Sequence, residues 1–119
     1  MAYSFFQFKD NKLFLVTGSP GGSDIPAAIL RVVTGVIDFN LDIGEATMLP
    51  RIHKDWPYTG LEHERAVSRD IVRRLNGMGH KTEYENTIGS TQSIHVFEGT
   101  NYGFADLRRP NAGVSVQTN

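Results

Sequence analysis

The amino-acid sequence predicts an α+β protein in which helices lie against an antiparallel or mixed sheet. Three observations carry that expectation. Tyr3 to Phe8 and Leu13 to Thr17 are rich in aromatic and β-branched residues and flank the turn-forming Lys9-Asp10-Asn11-Lys12. Between Asp24 and Phe39, Ile25, Ala28, Ile29, Val32, Val33, Val36 and Ile37 recur at three- and four-residue steps. Ser90 to Phe97 and Tyr102 to Ala105 form a second strand pair around Glu98-Gly99-Thr100-Asn101. The order reads ββ, αα, β, α, β, ββ.

In the first hairpin both strands are nearly all apolar, which predicts burial on two faces. Thr17 to Ser23, TGSPGGS, then forms a glycine-bearing turn between a strand and a helix. Free backbone N–H groups gather at the positive end of such a helix. Gly21 and Gly22 remove the Cβ atoms that would keep a ligand from the main chain, Pro20 stiffens the approach, and Ser23 or Asp24 can cap the helix. The turn serves either as a cradle for an oxyanion, carboxylate or phosphate, or as an ordinary connection. It is neither a Walker loop nor a GxGxxG turn.

The Asp24–Phe39 helix carries Pro26 in its first turn, where a missing N–H costs little. Gly35 in its interior points to close packing. Asn40 ends it, and Asp42-x-x-Glu45 caps a short second helix that stops before Pro50. Arg51 to Trp56 reads as extended and is closed by Pro57. A third helix runs from about Ser68 to Met78, with Ile71, Val72, Leu75 and Met78 inward and Gly79 as its stop. Lys81 to Asn86 forms a strand. The tail after Arg109 is expected to be loosely held.

The 119 residues fit one domain, residues 1–119, with a single core. A net charge of -1 gives no footprint for nucleic acid. The absence of cysteine excludes disulfides, thiolate catalysis and cysteine-ligated zinc. No apolar run approaches the ~20 residues of a membrane span, and no signal peptide is visible, so the compartment stays open. His53, His63, His80 and His95 lack metal-ligand spacing, and neither a metal nor another cofactor is expected. Trp56 reads as a core or rim aromatic. Glu62 and Glu64 read as a solvated strand edge, and Arg73-Arg74 and Arg108-Arg109 as solvated faces. Thr17, Ser19, Ser90 and Thr91 carry hydroxyls, but the pattern places no base beside them.

Four stretches occur in the order seen in gamma-glutamyltranspeptidases: Leu15 to Ser23, Pro50-Arg51-Ile52-His53, Gly89 to Ile94, and Gly103-Phe104-Ala105-Asp106-Leu107-Arg108. From about Asn11 to Arg109 the chain resembles the C-terminal portion of that family's small subunit. The resemblance implies part of an N-terminal-nucleophile-hydrolase fold, a four-layer αββα sandwich. In that family the precursor cleaves itself, and the new N-terminal threonine attacks a γ-glutamyl amide of the glutathione type. The γ-glutamyl group then passes to water, an amino acid or a peptide. By resemblance, the N–H groups of Gly21 and Gly22 correspond to the oxyanion hole.

By the same resemblance the threonine and the residues that hold the substrate's α-amino and α-carboxylate groups belong upstream of these residues, and Met1 falls where the family's serine-bearing stretch would end. Leu107 stands where the family's Asp-Pro-Arg motif has proline. The expectation is therefore an inactive isolated chain, completed by a separate chain or self-associated as a homo-oligomer. The alternative is a non-enzymatic binding protein that retains part of the fold.

Overall fold

The computed structural model describes residues 2–20, 22–57, 59–109, 113 and 115, so the tail expected to be loosely held falls almost wholly outside the described residues. The chain divides into two compact units. One comprises residues 1–49 with 89–119, the other residues 50–88.

The first unit is a four-stranded antiparallel sheet with two helices on one face. Its strands are β1 (Ala2–Lys9), β2 (Lys12–Pro20), β6 (Gln92–Phe97) and β7 (Thr100–Ala105), in the order β1-β2-β6-β7. Both hairpins turn as the sequence predicts. Asp10 and Asn11 take φ 53 and 62°, and Glu98 and Gly99 take 50 and 76°, which matches the twist that two-residue hairpins require. The first hairpin contains a bulge: Gln7 pairs with Leu15 and Phe8 with Leu13, leaving Phe14 as the extra residue. Strand β2 runs on through Pro20, so Thr17 to Pro20 is ladder rather than turn.

Helix α1 (Asp24–Ile37) buries Ile25, Ala28, Val32, Gly35 and Val36. Its end is closed by Asn40 at φ 56°, with the Leu41 N–H donating to the Gly35 carbonyl at 3.0 Å. Helix α2 (Ile43–Met48) starts at Asp42, whose carboxylate accepts the Glu45 N–H at 2.7 Å. Leu15, Val32, Val36, Ile43 and Ala46 form the core, with Phe14, Val33, Leu41 and Phe104 packed against it.

Close packing at Gly35 is as expected. A Cβ there would stand 2.8 Å from the Ala46 Cβ and 3.3 Å from its Cα, so α1 and α2 touch backbone to backbone. Gly35→Ala is expected to destabilise the unit by about 1–2 kcal/mol despite alanine's better helix propensity. Urea unfolding checks this. The pair Gly35→Ala with Ala46→Gly, which keeps the number of helical glycines constant, should restore most of the loss, and additive losses would contradict the contact.

The apolar strands are not buried on both faces. Phe6 is exposed because α1 and α2 cover only the other side of the sheet among the described residues, and Phe5 and Phe8 lie open along the edge strand β1. The covered side is polar as well as apolar: Thr17, Ser19, Ser90, Thr91, Ser93 and Asp106 are all buried.

The second unit holds β3 (Ile52–Lys54), β4 (Leu61–His63), α3 (Arg69–Gly77) and β5 (Thr82–Tyr84). Strand β4 pairs antiparallel with β3 and parallel with β5. The parallel pair needs a crossover, which α3 provides. The Trp56–Pro57 peptide is cis. Ser68 caps α3 by accepting the Ile71 N–H at 3.3 Å, and Gly79 follows its end at φ 98°. The inward face expected of α3 is found only in part. Val72 and Leu75 are half-buried, no residue of the helix is fully buried, and Ile71 and Met78 lie open.

Glu64 is also unlike its expected solvated position, being only 5% exposed. Its two carboxylate oxygens accept the N–H groups of Arg51 and Ile88, each at 2.9 Å. The buried Arg51 guanidinium donates to the Ile88 carbonyl at 2.9 Å. Arg51 and Ile88 stand at the two ends of the 50–88 excursion, and Glu64 ties them together.

Candidate functional site

The strand-to-helix junction ahead of α1 was the sequence's strongest candidate. Gly21 lies outside the described residues. Gly22 is exposed, its carbonyl accepts the Ile25 N–H at 3.2 Å, and a Cβ built on it would meet nothing within 4 Å. Ser23 occupies the N-cap position with helical φ and ψ, and its hydroxyl makes no capping bond, contrary to the cap expected of it. A side-chain cap needs extended backbone at that position to aim the oxygen back at the first turn. The head of this 14-residue helix therefore opens to solvent with no Ser23 oxygen drawn over it. Such a helix end favours a negative partner.

The hydroxyls nearest that junction are structural. Ser19 Oγ donates to the Pro20 carbonyl at 2.8 Å and accepts the Ser90 N–H at 3.1 Å, while Thr17 Oγ1 bonds Ser93 Oγ at 2.7 Å. All of these residues, with Thr91, are at most 2% exposed. None presents an accessible, unengaged nucleophile.

Other candidates are scattered. His53 and His63 sit on neighbouring strands, but His53 pairs with Glu62 and His63 with Ile52. Trp56 is 78% exposed, not a core aromatic. Arg73 reaches Asp70 at 3.3 Å on the open face of α3.

Arg108 was expected on a solvated face and instead lies within the unit. Its Nη1 donates to the Thr47 carbonyl at 2.8 Å and to Asp106 Oδ1 at 3.1 Å, and its Nη2 donates to the Leu49 carbonyl at 2.8 Å. The fully buried Asp106 also accepts the N–H groups of Thr91 and Arg108, each at 3.0 Å. Leu107, at the proline position of the motif, is exposed. These roles, with those of Arg51 and Glu64, are the ones sequence reasoning missed. The only signal was that Arg51, Asp106 and Arg108 fall inside the stretches that carry the family resemblance.

Two places among the described residues carry titratable groups moved from their ordinary range. The Glu45 N–H bond holds Asp42 below its usual range, and the Asp42 side chain in turn holds Glu45 up. Burial pulls His95 down towards its neutral form. Neither place adjoins Gly22.

Comparison with known proteins identifies the class and then the family. The first unit's sheet-and-helix layering belongs to an N-terminal-nucleophile-hydrolase fold. A Helicobacter pylori gamma-glutamyltranspeptidase variant superposes with a TM-score of 0.85 at 35% identity, over 91% of this chain and 61% of that one. A cephalosporin acylase from Bacillus halodurans shares the fold at a TM-score of 0.80 and 24% identity, over 93% of this chain and 21% of that one. The Gamma-glutamyltranspeptidase family model matches residues 2–116. The chain is 44% identical over 101 residues to the glutathione hydrolase proenzyme of Escherichia coli (strain K12), covering 84% of this chain and 17% of that protein. Against the glutathione hydrolase proenzyme of Bacillus subtilis (strain 168) it is 35% identical over 112 residues, 92% of this chain and 19% of that protein. The chain belongs to the gamma-glutamyltranspeptidase family, and it spans less than a fifth of the length of these two relatives.

Proposed function

We propose that this chain furnishes the oxyanion-stabilising turn of a γ-glutamyl hydrolase or transferase and is catalytically silent as isolated residues 1–119. The observation that supports it is the family's Gly-Ser-Pro-Gly-Gly-Ser stretch leading into α1, with Gly22 exposed and unobstructed. A threonine hydroxyl supplied by another segment attacks the γ-glutamyl carbonyl carbon. The carbonyl oxygen takes the negative charge, facing the N–H groups of Gly21 and Gly22 and the positive end of α1. The amine leaves with a proton, and water or an acceptor amine then opens the ester. Donors fixed before the charge develops are each worth about 2.7–4 kcal/mol. They stabilise nothing until a nucleophile has attacked, and the Thr17 and Ser19 hydroxyls ahead of the turn are buried and bonded.

The test is release of chromophore from a γ-glutamyl anilide, with and without a dipeptide acceptor. The purified chain should show no turnover. Adding a separately prepared threonine-bearing segment of the family should give turnover, and Gly22→Pro, which removes one donor, should lower it by about 10²–10³. Turnover by the chain alone that disappears on Ser19→Ala would place a nucleophile within it. Reconstituted activity indifferent to Gly22→Pro would remove the oxyanion role.

A second reading, self-association without catalysis, draws on the sheet face turned away from the helices. Phe6, Val16 and Ile94 share one cross-strand rung there, and Phe6 is 59% exposed. Strands β1 and β7 form the two edges of this sheet. Open faces and edges invite pairing with a second copy. Light scattering should show a dimer or larger species. A monomer at high concentration would sink this reading.

A further inference from the structure

The helix-covered side of the first unit contains a cleft of about 1190 Å³, formed where the C-terminal end of α1 and the Asn40–Gly44 connection overhang the sheet. It is built on one rung of the ladder. Gln7 pairs with Leu15, Leu15 with His95, and His95 with Tyr102, so these four side chains belong to one face across all four strands. Leu15 at the centre is fully buried in the core. The residues on either side of it are polar, and both are incomplete. Gln7 Oε1 and His95 Nε2 are buried atoms without a hydrogen-bond partner. A buried polar atom left unsatisfied keeps its desolvation penalty, which a ligand with the right group removes.

The histidine is held rigidly. It is 9% exposed, the Phe14 ring meets it edge-on at 4.8 Å and 86°, and Phe97 lies beside it at 5.9 Å. Phe14 is the bulge residue between two paired positions, and it packs on the helix-side core. The remaining walls include Ile43 and Phe104, with one charge of each sign from Lys9, whose ammonium lies 5.7 Å from the Phe14 ring centre, and Asp42. Rigid aromatic walls with a few fixed polar atoms are how small-molecule sites are built. The polar atoms also restrict the ligand's charge. A carboxylate or ammonium seated on this rung would leave a charge buried against a neutral amide and a neutral imidazole. A hydroxyl both donates and accepts, so it satisfies Nε2 in either tautomer and can donate to an amide oxygen.

We propose that this cleft binds a neutral, hydroxylated aromatic compound, its ring between Phe14 and Phe104 and its hydroxyl on His95 Nε2, with Gln7 as the second polar contact. The site lies at the sheet rung of Leu15, distinct from the Gly22 junction, and does not depend on the chain taking part in γ-glutamyl transfer.

The test is titration of the ¹⁵N-labelled chain with phenol and, separately, with toluene, which keeps the ring and lacks the hydroxyl. Phenol is expected to shift the amides of Gln7, Leu15, His95 and Tyr102 and to bind at least about tenfold more tightly than toluene. His95→Phe should erase that preference while toluene still binds, which also shows that the cleft survives. Gln7→Leu, on the edge strand, should weaken phenol severalfold and gives a second readout if His95→Phe does not fold. Equal binding of the two probes, shifts spread over the whole unit, or no phenol binding in the millimolar range would overturn the proposal. In the last case a trapped water satisfies His95 instead.

Discussion

Replacing Arg108 with alanine is expected to cost about 3–5 kcal/mol, roughly a fifth or more of the stability of a domain this size. The guanidinium receives the ends of two other elements at once. The last carbonyls of a helix have no partner within it. Here the Thr47 carbonyl from the last turn of α2 and the Leu49 carbonyl just beyond each accept one arm of the Arg108 fork at 2.8 Å. Asp106 Oδ1 takes the same Nη1 at 3.1 Å, and the Asp106 carboxylate is wholly buried. Alanine would leave two carbonyls unsatisfied and one buried carboxylate without its cation. Breaking such a pair from one side is far more damaging than removing both partners. Arg108→Lys should recover less than half of the loss, because a single ammonium cannot span two carbonyls and a carboxylate in fixed fork geometry. The double variant Asp106→Asn with Arg108→Ala should lose less than the sum of its parts. Urea unfolding followed by circular dichroism measures these three and the single Asp106→Asn variant. A loss below about 1 kcal/mol for Arg108→Ala would show the fork to be incidental.

The sequence made local structure legible and non-local burial largely illegible. Both hairpins, all three helices, the Asp42 cap of α2 and the Gly79 stop of α3 follow from turn chemistry and apolar spacing within a few residues. The Asn40 stop was equally readable, because only a left-handed residue lets the chain leave α1 sharply. What spacing cannot reveal is whether anything covers the apolar side of an element. Ile71 and Met78 fall on one stripe of α3 and lie open, just as Phe6 lies open on β1. The opposite error befell Glu64 and Arg108. Charged residues are almost never fully buried unless paired, and their partners stand 13, 24 and some sixty residues away in the chain. The hydroxyls of Thr17 and Ser19 were visible as candidates, but only the ladder shows that Ser93 and Ser90 engage them. At Gly22 the space around the main chain is open, and a Cβ would meet no neighbour there, so packing alone does not call for a glycine.

Glu64→Ala is expected to unfold residues 50–88 selectively. This stretch has three short strands and one helix with no buried residue, so little apolar burial supports it. Its two ends are joined through one carboxylate, which takes the Arg51 and Ile88 N–H groups at 2.9 Å each. The Glu64 N–H closes the same ring by donating to the Arg51 carbonyl at 3.1 Å. Alanine would strand the buried N–H groups of Arg51 and Ile88. The combined cost is about 3–5 kcal/mol. Glu64→Gln keeps one oxygen but turns an NH₂ group towards an N–H donor, so it should lose roughly half as much. Native-state hydrogen exchange separates this from a general effect, since each compact unit opens with its own free energy. In Glu64→Ala the amides of Leu61 and Glu85, bonded to the Lys81 and His63 carbonyls, should lose protection by at least about a hundredfold. The amides of Val16 and Ile94 on the four-stranded sheet should change by less than about tenfold. Equal loss in both places would show one cooperative unit rather than two. Unchanged protection at Leu61 and Glu85 would show that Glu64 does not hold the ends of this excursion together.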